Sequence, residues 1–276
     1  MSTENSASDG NTPWALVTGA SSGIGLEFAR QLAAEGYDLV LTARRAELMA
    51  ALAAELHEAH GTQALVIPAD LAEASAPAEI VQRIEASGIH IEFLVNNAGY
   101  GLPGRYSDCD WKDHARFIQI MTTAVCELTW RLLGPMQRAG RGYIINVASV
   151  AGLIPGSEGH TLYAASKAYL VRFSESLALE NERLGVAVSA LCPGFTYSEF
   201  HDVTGTRELV SKFPAFMWLQ APEVVRYGIE SVRRSHPRVV AIPGRVYRTL
   251  VRLNRVLPVF GGGFVKRLSK RFRKLD

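Results

Sequence analysis

The stretch "WALVTGASSGIG", residues 14–25, runs from an apolar segment through a glycine-rich turn into the start of a helical pattern. Gly19, Gly23 and Gly25 let the backbone turn sharply and approach a bound group closely, while the free amides and positive dipole end of the following helix favour phosphate. In a strand–turn–helix setting this combination points to a dinucleotide ahead of mere tight packing.

Outward from that stretch, β-rich apolar runs recur as "DLVLTAR", "ALVIPAD", "IEFLVNNAG", "GYIINVAS", "VAVSALCPG" and "RVVAIPG", with helical patterns between them. Phe28, Ala29 and Leu32 share one side of the first helix, and Leu48, Leu52 and Leu56 repeat every four residues in the second. Near-continuous apolar strands alternating with helices predict an α/β fold, a doubly wound parallel seven-stranded sheet in a single domain. Such sheets bind ligands outside the carboxyl ends of their strands, where the unusual residue clusters of this sequence fall.

At 276 residues, 48% hydrophobic and 20% charged, the chain is long enough for one large core. We divide it into a flexible amino-terminal tail (1–12), a main domain (13–244) and a basic amphipathic carboxyl-terminal extension (245–276). The opening "MSTENSASDGNTP" lacks the basic and apolar regions of a signal peptide. Cys109, Cys126 and Cys192 are too few and too scattered for a disulfide framework or a metal site, so a reducing cytoplasm and no metal are expected. No apolar run approaches the roughly 20 residues that cross a bilayer.

The net charge of +2 hides an asymmetry, because residues 226–276 hold 14 Lys and Arg against 2 acids. Val246, Leu250, Leu253 and Leu257 follow helical spacing there, Arg245, Arg248, Arg252 and Arg255 take another face, and Phe264, Leu268, Phe272 and Leu275 repeat the arrangement. Such a segment suits peripheral contact with an anionic membrane surface, or packing on the acidic body or a second subunit. Nucleic acid lacks a supporting motif.

Two further clusters carry chemistry. At the end of the second strand stand Ala43, Arg44 and Arg45, where a site preferring NAD usually places an acid. The guanidinium of Arg44 can pair bidentately with a ribose 2′-phosphate, so the expected cofactor is NADP(H), unless both arginines merely decorate an exposed loop. In "TLYAASKAYL", residues 161–170, Tyr163 and Lys167 share one helical face about a turn apart. An ammonium near a phenol favours the phenolate, which predicts a lowered tyrosine pKa, unless the aromatic merely packs inward and the lysine is solvated.

With these motifs in this order, the sequence resembles the short-chain dehydrogenase/reductase family, of Rossmann type, along nearly its full length. "TGASSGIG" looks like that family's cofactor turn, supplying Gly19, Ser21, Ser22, Gly23, Ile24 and Gly25. Asp70 in "PADL" resembles its adenine contact, and "NNAG", with Asn97, Ala98 and Gly99, its fourth-strand signature. Ser149 in "NVASVAG" resembles the catalytic serine, and "YAASK" the catalytic Tyr163 and Lys167, which also contact the cofactor. "CPGF" resembles the segment beside nicotinamide, which supplies Pro193, Gly194 and Thr196. The resemblance implies hydride transfer between NADP(H) and a carbonyl or secondary alcohol. In it Tyr163 acts as general acid/base, Lys167 lowers its pKa and binds the ribose, and Ser149 orients the carbonyl. It also implies a homodimer or homotetramer.

One position departs from the pattern. The asparagine that commonly follows "NNAG" by about 25 residues falls here on Met121, and a thioether is only a weak acceptor. Three readings stay open: another proton route, a cofactor-binding pseudoenzyme, or a register shifted by a residue or more. The family's lid over the substrate corresponds to about 196–221. Phe195, Tyr197, Phe200, Phe213, Phe216, Met217 and Trp218 in and beside it suggest a lipophilic small molecule, or else core and subunit contacts. A 3-oxoacyl or steroid-like ketone reductase at a membrane surface is the alternative within the enzyme class.

Overall fold

The computed structural model describes residues 12–102, 104–156, 158–159, 161–198 and 214–256. Strands β1 (Trp14–Thr18), β2 (Asp38–Ala43), β3 (Ala64–Pro68), β4 (Ile91–Asn96), β5 (Gly142–Val147), β6 (Val186–Leu191) and β9 (Val240–Ala241) form one sheet in the order β3-β2-β1-β4-β5-β6-β9. Every pairing in it is parallel. The order reverses between β1 and β4, which opens a crevice at their carboxyl ends. The short strands β7 (Thr196–Tyr197) and β8 (Leu219–Gln220) pair separately, also in parallel.

Alternation along the strands divides the core into two layers. Ala15 and Val17 face helices α1 (Gly23–Ala34), α2 (Ala46–His60) and α7 (Ala221–Val232), through Phe28, Leu32, Met49, Val225 and Ile229. Leu16 faces the other layer, built from α3 (Ala76–Ala86), α4 (Trp111–Ile118), α5 (Ala124–Ala139) and α6 (Thr161–Asn181). In α2 the buried face is Met49, Leu52 and Leu56, and Leu48 lies outside it. A strict four-residue repeat drifts around a helix of 3.6 residues per turn, so Met49 rather than Leu48 continues the inward stripe.

Helix α6 has almost no apolar stripe, and four of its seven buried residues, Ser166, Lys167, Ser174 and Asn181, are polar. Its seat comes from a buried chain of hydrogen bonds. Asn96, at the end of β4, donates through Nδ2 to Thr129 Oγ1 on α5 (3.1 Å) and to Asn146 Oδ1 on β5 (2.9 Å). Asn146 donates in turn to Ser174 Oγ on α6 (2.9 Å), and that hydroxyl donates to the Leu170 carbonyl (2.7 Å). Buried polar groups are costly unless paired, so this chain favours one rotation of α6 against the sheet.

Helix α8 (Arg245–Val256) folds back onto the domain through Tyr247 and Val251. The stripe read from spacing is therefore not the face that packs: Val246, Leu250 and Leu253 are exposed. Burial follows the groove available on the domain, and an aromatic ring fills it. Leu257, the apolar repeat at 264–275 and the tail at 1–11 lie outside the described residues. No helix among the described residues is long and apolar enough to cross a membrane.

Replacing Asn146 by alanine removes the acceptor of one Asn96 N–H and the donor to Ser174 Oγ in the core, while Asn96 keeps Thr129 and Ser174 keeps the Leu170 carbonyl. We expect Asn146→Ala to lower unfolding free energy by about 3 kcal/mol with an unchanged m value in urea. A loss below about 1 kcal/mol would show that the chain of bonds does not seat α6.

Candidate active site

The floor of the crevice is a latch between the ends of β1 and β4. Thr18 Oγ1 accepts the amides of Asn97 and Ala98, both at 2.9 Å, and Asn97 Nδ2 donates to the carbonyls of Thr18 (2.9 Å) and Gly19 (3.4 Å). Asn97 thus shapes the turn with its side chain. Gly19 and Gly23 hold left-handed φ values of 68° and 56°. A Cβ on Gly25 would sit 2.2 Å from the Gly19 carbonyl oxygen, which is why helix α1 can begin so close to the strand end. Its first turn carries no acid, and Ser22 makes no side-chain cap, so the positive helix end is left uncompensated beside Ser21, Ser22 and Ile24. This is a cradle that fits a pyrophosphate. Ser198 approaches from above, 3.1 Å from where a Cβ on Gly23 would lie.

Arg45, not Arg44, reaches the turn, donating through Nε (3.2 Å) and a terminal nitrogen (3.1 Å) to Ser21 Oγ. Arg44 is exposed at the end of β2. It and Arg116 act electrostatically on Tyr100, whose hydroxyl pKa is nonetheless raised, chiefly by burial. Asp70 accepts the Ala72 amide at 3.0 Å and pairs with Arg116 of α4 at the position expected at adenine. The spacing of the sequence singled out neither Arg45 nor Arg116, because both act through contacts between separate elements.

Ser149, Tyr163 and Lys167 converge at the carboxyl ends of β5 and β6. Ser149 begins a 3-10 turn, Val150–Gly152, that lies directly on α6: a Cβ on Gly152 would meet the Lys167 carbonyl carbon at 2.5 Å. Ser149 Oγ accepts the Ala151 amide (3.2 Å), and its proton serves the Pro193 carbonyl (3.4 Å) or the Tyr163 hydroxyl. Lys167 is 5% exposed; its Nζ donates to the Val147 carbonyl at 2.7 Å and stands 5.7 Å from the Tyr163 ring centroid.

The electrostatics differ from the expectation of an acidified tyrosine. Burial pushes the Tyr163 phenol up to about 12, with the Ser149 hydrogen bond pulling the other way. Burial likewise brings the Lys167 ammonium down to about 8, opposed by the neighbouring Cys192 thiol. Loss of water opposes charge on either group, and it is the largest cause of both shifts. Tyr163 keeps part of its surface open to the cleft, and solvent there tempers the shift. Cys192 itself is fully buried and pushed up to about 12 by that burial, so it stands protonated beside the ammonium.

Met121 falls in a π-helical stretch, Gln119–Thr123, between α4 and α5. It is fully buried, and its Sδ lies 2.8 Å from where a Cβ on Gly99 would be, so the thioether packs under the turn that carries Ala98 and Gly99. Gln119 Nε2 is buried without a hydrogen-bond partner among the described residues. On the opposite wall, Thr196 Oγ1 donates to the Gly194 carbonyl (3.1 Å), and Trp218 packs against Phe195 and Tyr197 at centroid distances of 5.7 and 4.7 Å. Phe216 is exposed, while Phe200 and Phe213 lie outside the described residues.

A family model described as short chain dehydrogenase matches residues 13–208. The chain is similar to nodulation protein G of Rhizobium sp. (strain N33), 41% identical over 191 residues that cover 68% of this chain and 75% of that one. It is similar to the very-long-chain 3-oxoacyl-CoA reductase of Anas platyrhynchos, 34% identical over 69% of this chain, and spans 62% of that relative's length. Among solved structures it is similar to a short-chain dehydrogenase from Sphingobium yanoikuyae in complex with NADPH. That similarity has a TM-score of 0.78 and 31% identity, covering 90% of this chain and 95% of that one.

The lowered Lys167 pKa makes stability depend on pH. With a folded value of about 8 against the ordinary 10.5, the unfolded chain binds more protons between those values, so this group makes stability rise with pH across that window. We expect wild type to gain up to about 3 kcal/mol relative to Lys167→Met between pH 7.5 and 10.5 in urea unfolding. A flat difference would mean that the ammonium is solvated.

Proposed function

The chain belongs to the short-chain dehydrogenase family, and we propose that it moves hydride between NADP(H) and a carbonyl or secondary alcohol of a lipophilic substrate. The observation that carries this reading is the convergence of Ser149, Tyr163 and Lys167 beside the Pro193 carbonyl. A bound nicotinamide supplies or accepts the hydride at the substrate carbon.

The side chains handle the oxygen and its proton. Ser149 donates a hydrogen bond to the substrate oxygen, and in the reducing direction Tyr163 gives that oxygen its phenolic proton. A phenol held neutral by burial is in the right state to donate. Lys167, with a pKa near 8, is mostly protonated at pH 7; it steadies the phenolate left behind and reaches the ribose. Met121 offers no donor for a water beside the lysine, so the proton is replaced by another route. A cofactor-binding pseudoenzyme is the rival reading, favoured by that same thioether.

The glycine cradle, Asn97, Ala98, Gly99 and the 193–196 segment would hold the nucleotide. Arg44 and Arg45, with no acid at Ala43, favour a 2′-phosphate, and the NADPH bound by the Sphingobium relative supports that choice. The Phe195, Tyr197 and Trp218 cluster supports an apolar substrate, and the name of the Anas relative supports a 3-oxoacyl one. Exposed Leu250 and Leu253 beside Arg252 and Arg255 on α8 favour work at a membrane surface of an otherwise cytoplasmic protein. Exposed Trp130 on α5 and Leu179 on α6 support a homodimer or homotetramer joined through the long helices.

NADPH oxidation against aliphatic, cyclic and acyl ketones tests the reading. Turnover is expected with a lower KM for NADPH than for NADH, and Tyr163→Phe should reduce it by about 10²- to 10⁴-fold while NADPH still binds within about twofold of wild type. Wild-type protein that binds NADPH yet turns over no ketone would favour the pseudoenzyme, and undiminished turnover in Tyr163→Phe would refute the tyrosine's role. In vesicle flotation with anionic lipid, Leu250→Glu/Leu253→Glu should lose binding that wild type retains. Equal flotation would remove α8 from any lipid contact.

A further inference from the structure

Tyr247 does more in this fold than anchor a terminal helix. Its ring occupies the space in front of Gly194, where a Cβ would meet three ring carbons at 2.0 to 2.3 Å, so the glycine and the aromatic are fitted to each other. Its hydroxyl accepts the Phe195 amide at 3.0 Å and donates to the Met217 carbonyl at 2.5 Å. Phe195 closes the arrangement by accepting the Leu219 amide at 2.8 Å, beside the β7–β8 pair. One oxygen therefore ties Phe195, beside β7, to Met217, beside β8.

The same segment is gripped from the other side. The Pro193 carbonyl accepts the Val150 amide at 3.0 Å and the Ser149 hydroxyl at 3.4 Å. Val150 also packs with Tyr247 and Val251 in one small buried cluster. Arg248 fixes the first turn of α8 by donating to the Ile242 carbonyl at 3.2 Å, with its guanidinium 5.7 Å from the Tyr227 ring. Residues 193–195 thus lie between the reacting serine and a phenol that reaches in from the far end of the chain.

We propose that Tyr247 is a positioning residue: its hydroxyl, carried on α8, sets the placement of Pro193–Thr196 against Ser149 and acts through that segment on the nucleotide site. This rests on the oxidoreductase reading, in which that segment lines the nicotinamide. Donation to the Met217 carbonyl needs the phenolic proton, and burial that pushes this phenol up to about 12 keeps it in place.

Tyr247→Phe tests the proposal in the full chain, because it keeps the ring against Gly194 and deletes only the oxygen. Hydrogen-exchange mass spectrometry should show amides in peptides spanning 193–198 and 217–220 exchanging about tenfold faster, and NADPH should bind about 3- to 10-fold more weakly by fluorescence titration, the scale of one net hydrogen bond. Val251→Ala is the comparison: it thins the same helix contact without touching the hydroxyl, and should lower Tm while leaving exchange and NADPH affinity within about twofold. Wild-type exchange and affinity in Tyr247→Phe would overturn the proposal, as would an equal loss of affinity in Val251→Ala. Wild-type protein that binds neither NADPH nor NADH would instead overturn the oxidoreductase reading, and the exchange comparison would then decide the clamp by itself.

Discussion

The seat of α6 depends on polar atoms that have nowhere else to bond. Asn96, Thr129, Asn146 and Ser174 are all nearly inaccessible to water, and a rotation of the helix by one residue would carry Ser174 Oγ away from the Asn146 amide and strand that donor in the core. Leu170, Val171 and Leu177 supply the helix's buried apolar contacts, and the Asn146–Ser174 hydrogen bond adds a directional constraint on its rotation. Tyr163 and Lys167 ride on the same helix, so a hydrogen bond to Ser174, about two to three turns away, constrains where their side chains point.

Burial then sets the chemistry of the pair. Lys167 is drawn to the Val147 carbonyl at the end of a central strand, where loss of water weakens the ammonium's hold on its proton. The same dryness keeps Tyr163 neutral, against the simple expectation that a nearby cation acidifies a phenol. Proximity along a helix identifies two groups that interact; the dielectric around them decides which protonation states result.

Several features of the site join distant parts of the chain. The turn after β1 is braced by Asn97 from β4 and by Arg45 from the start of α2, and the segment after β6 lies between Ser149 and Tyr247. A parallel sheet makes this unavoidable, since each strand end is reached only after a crossover and its neighbours in space are far away in sequence.

The strand runs, the glycine turn and the Tyr163–Lys167 spacing were legible in the sequence because each is a local pattern, dictated by a period of two or 3.6 residues or by a backbone that must fold tightly. Those patterns were enough for the seven-stranded parallel fold, whereas Ser149, Asp70, Asn97 and the 193–196 segment entered only through the resemblance to the short-chain dehydrogenase/reductase family. The local patterns could not tell Leu48 from Met49 as the inward residue, or the leucine stripe of α8 from Tyr247 as its packing face, and they did not show that Arg45 reaches Ser21. Each of those choices depends on which surface lies opposite and how much water remains between, and only the folded chain supplies both.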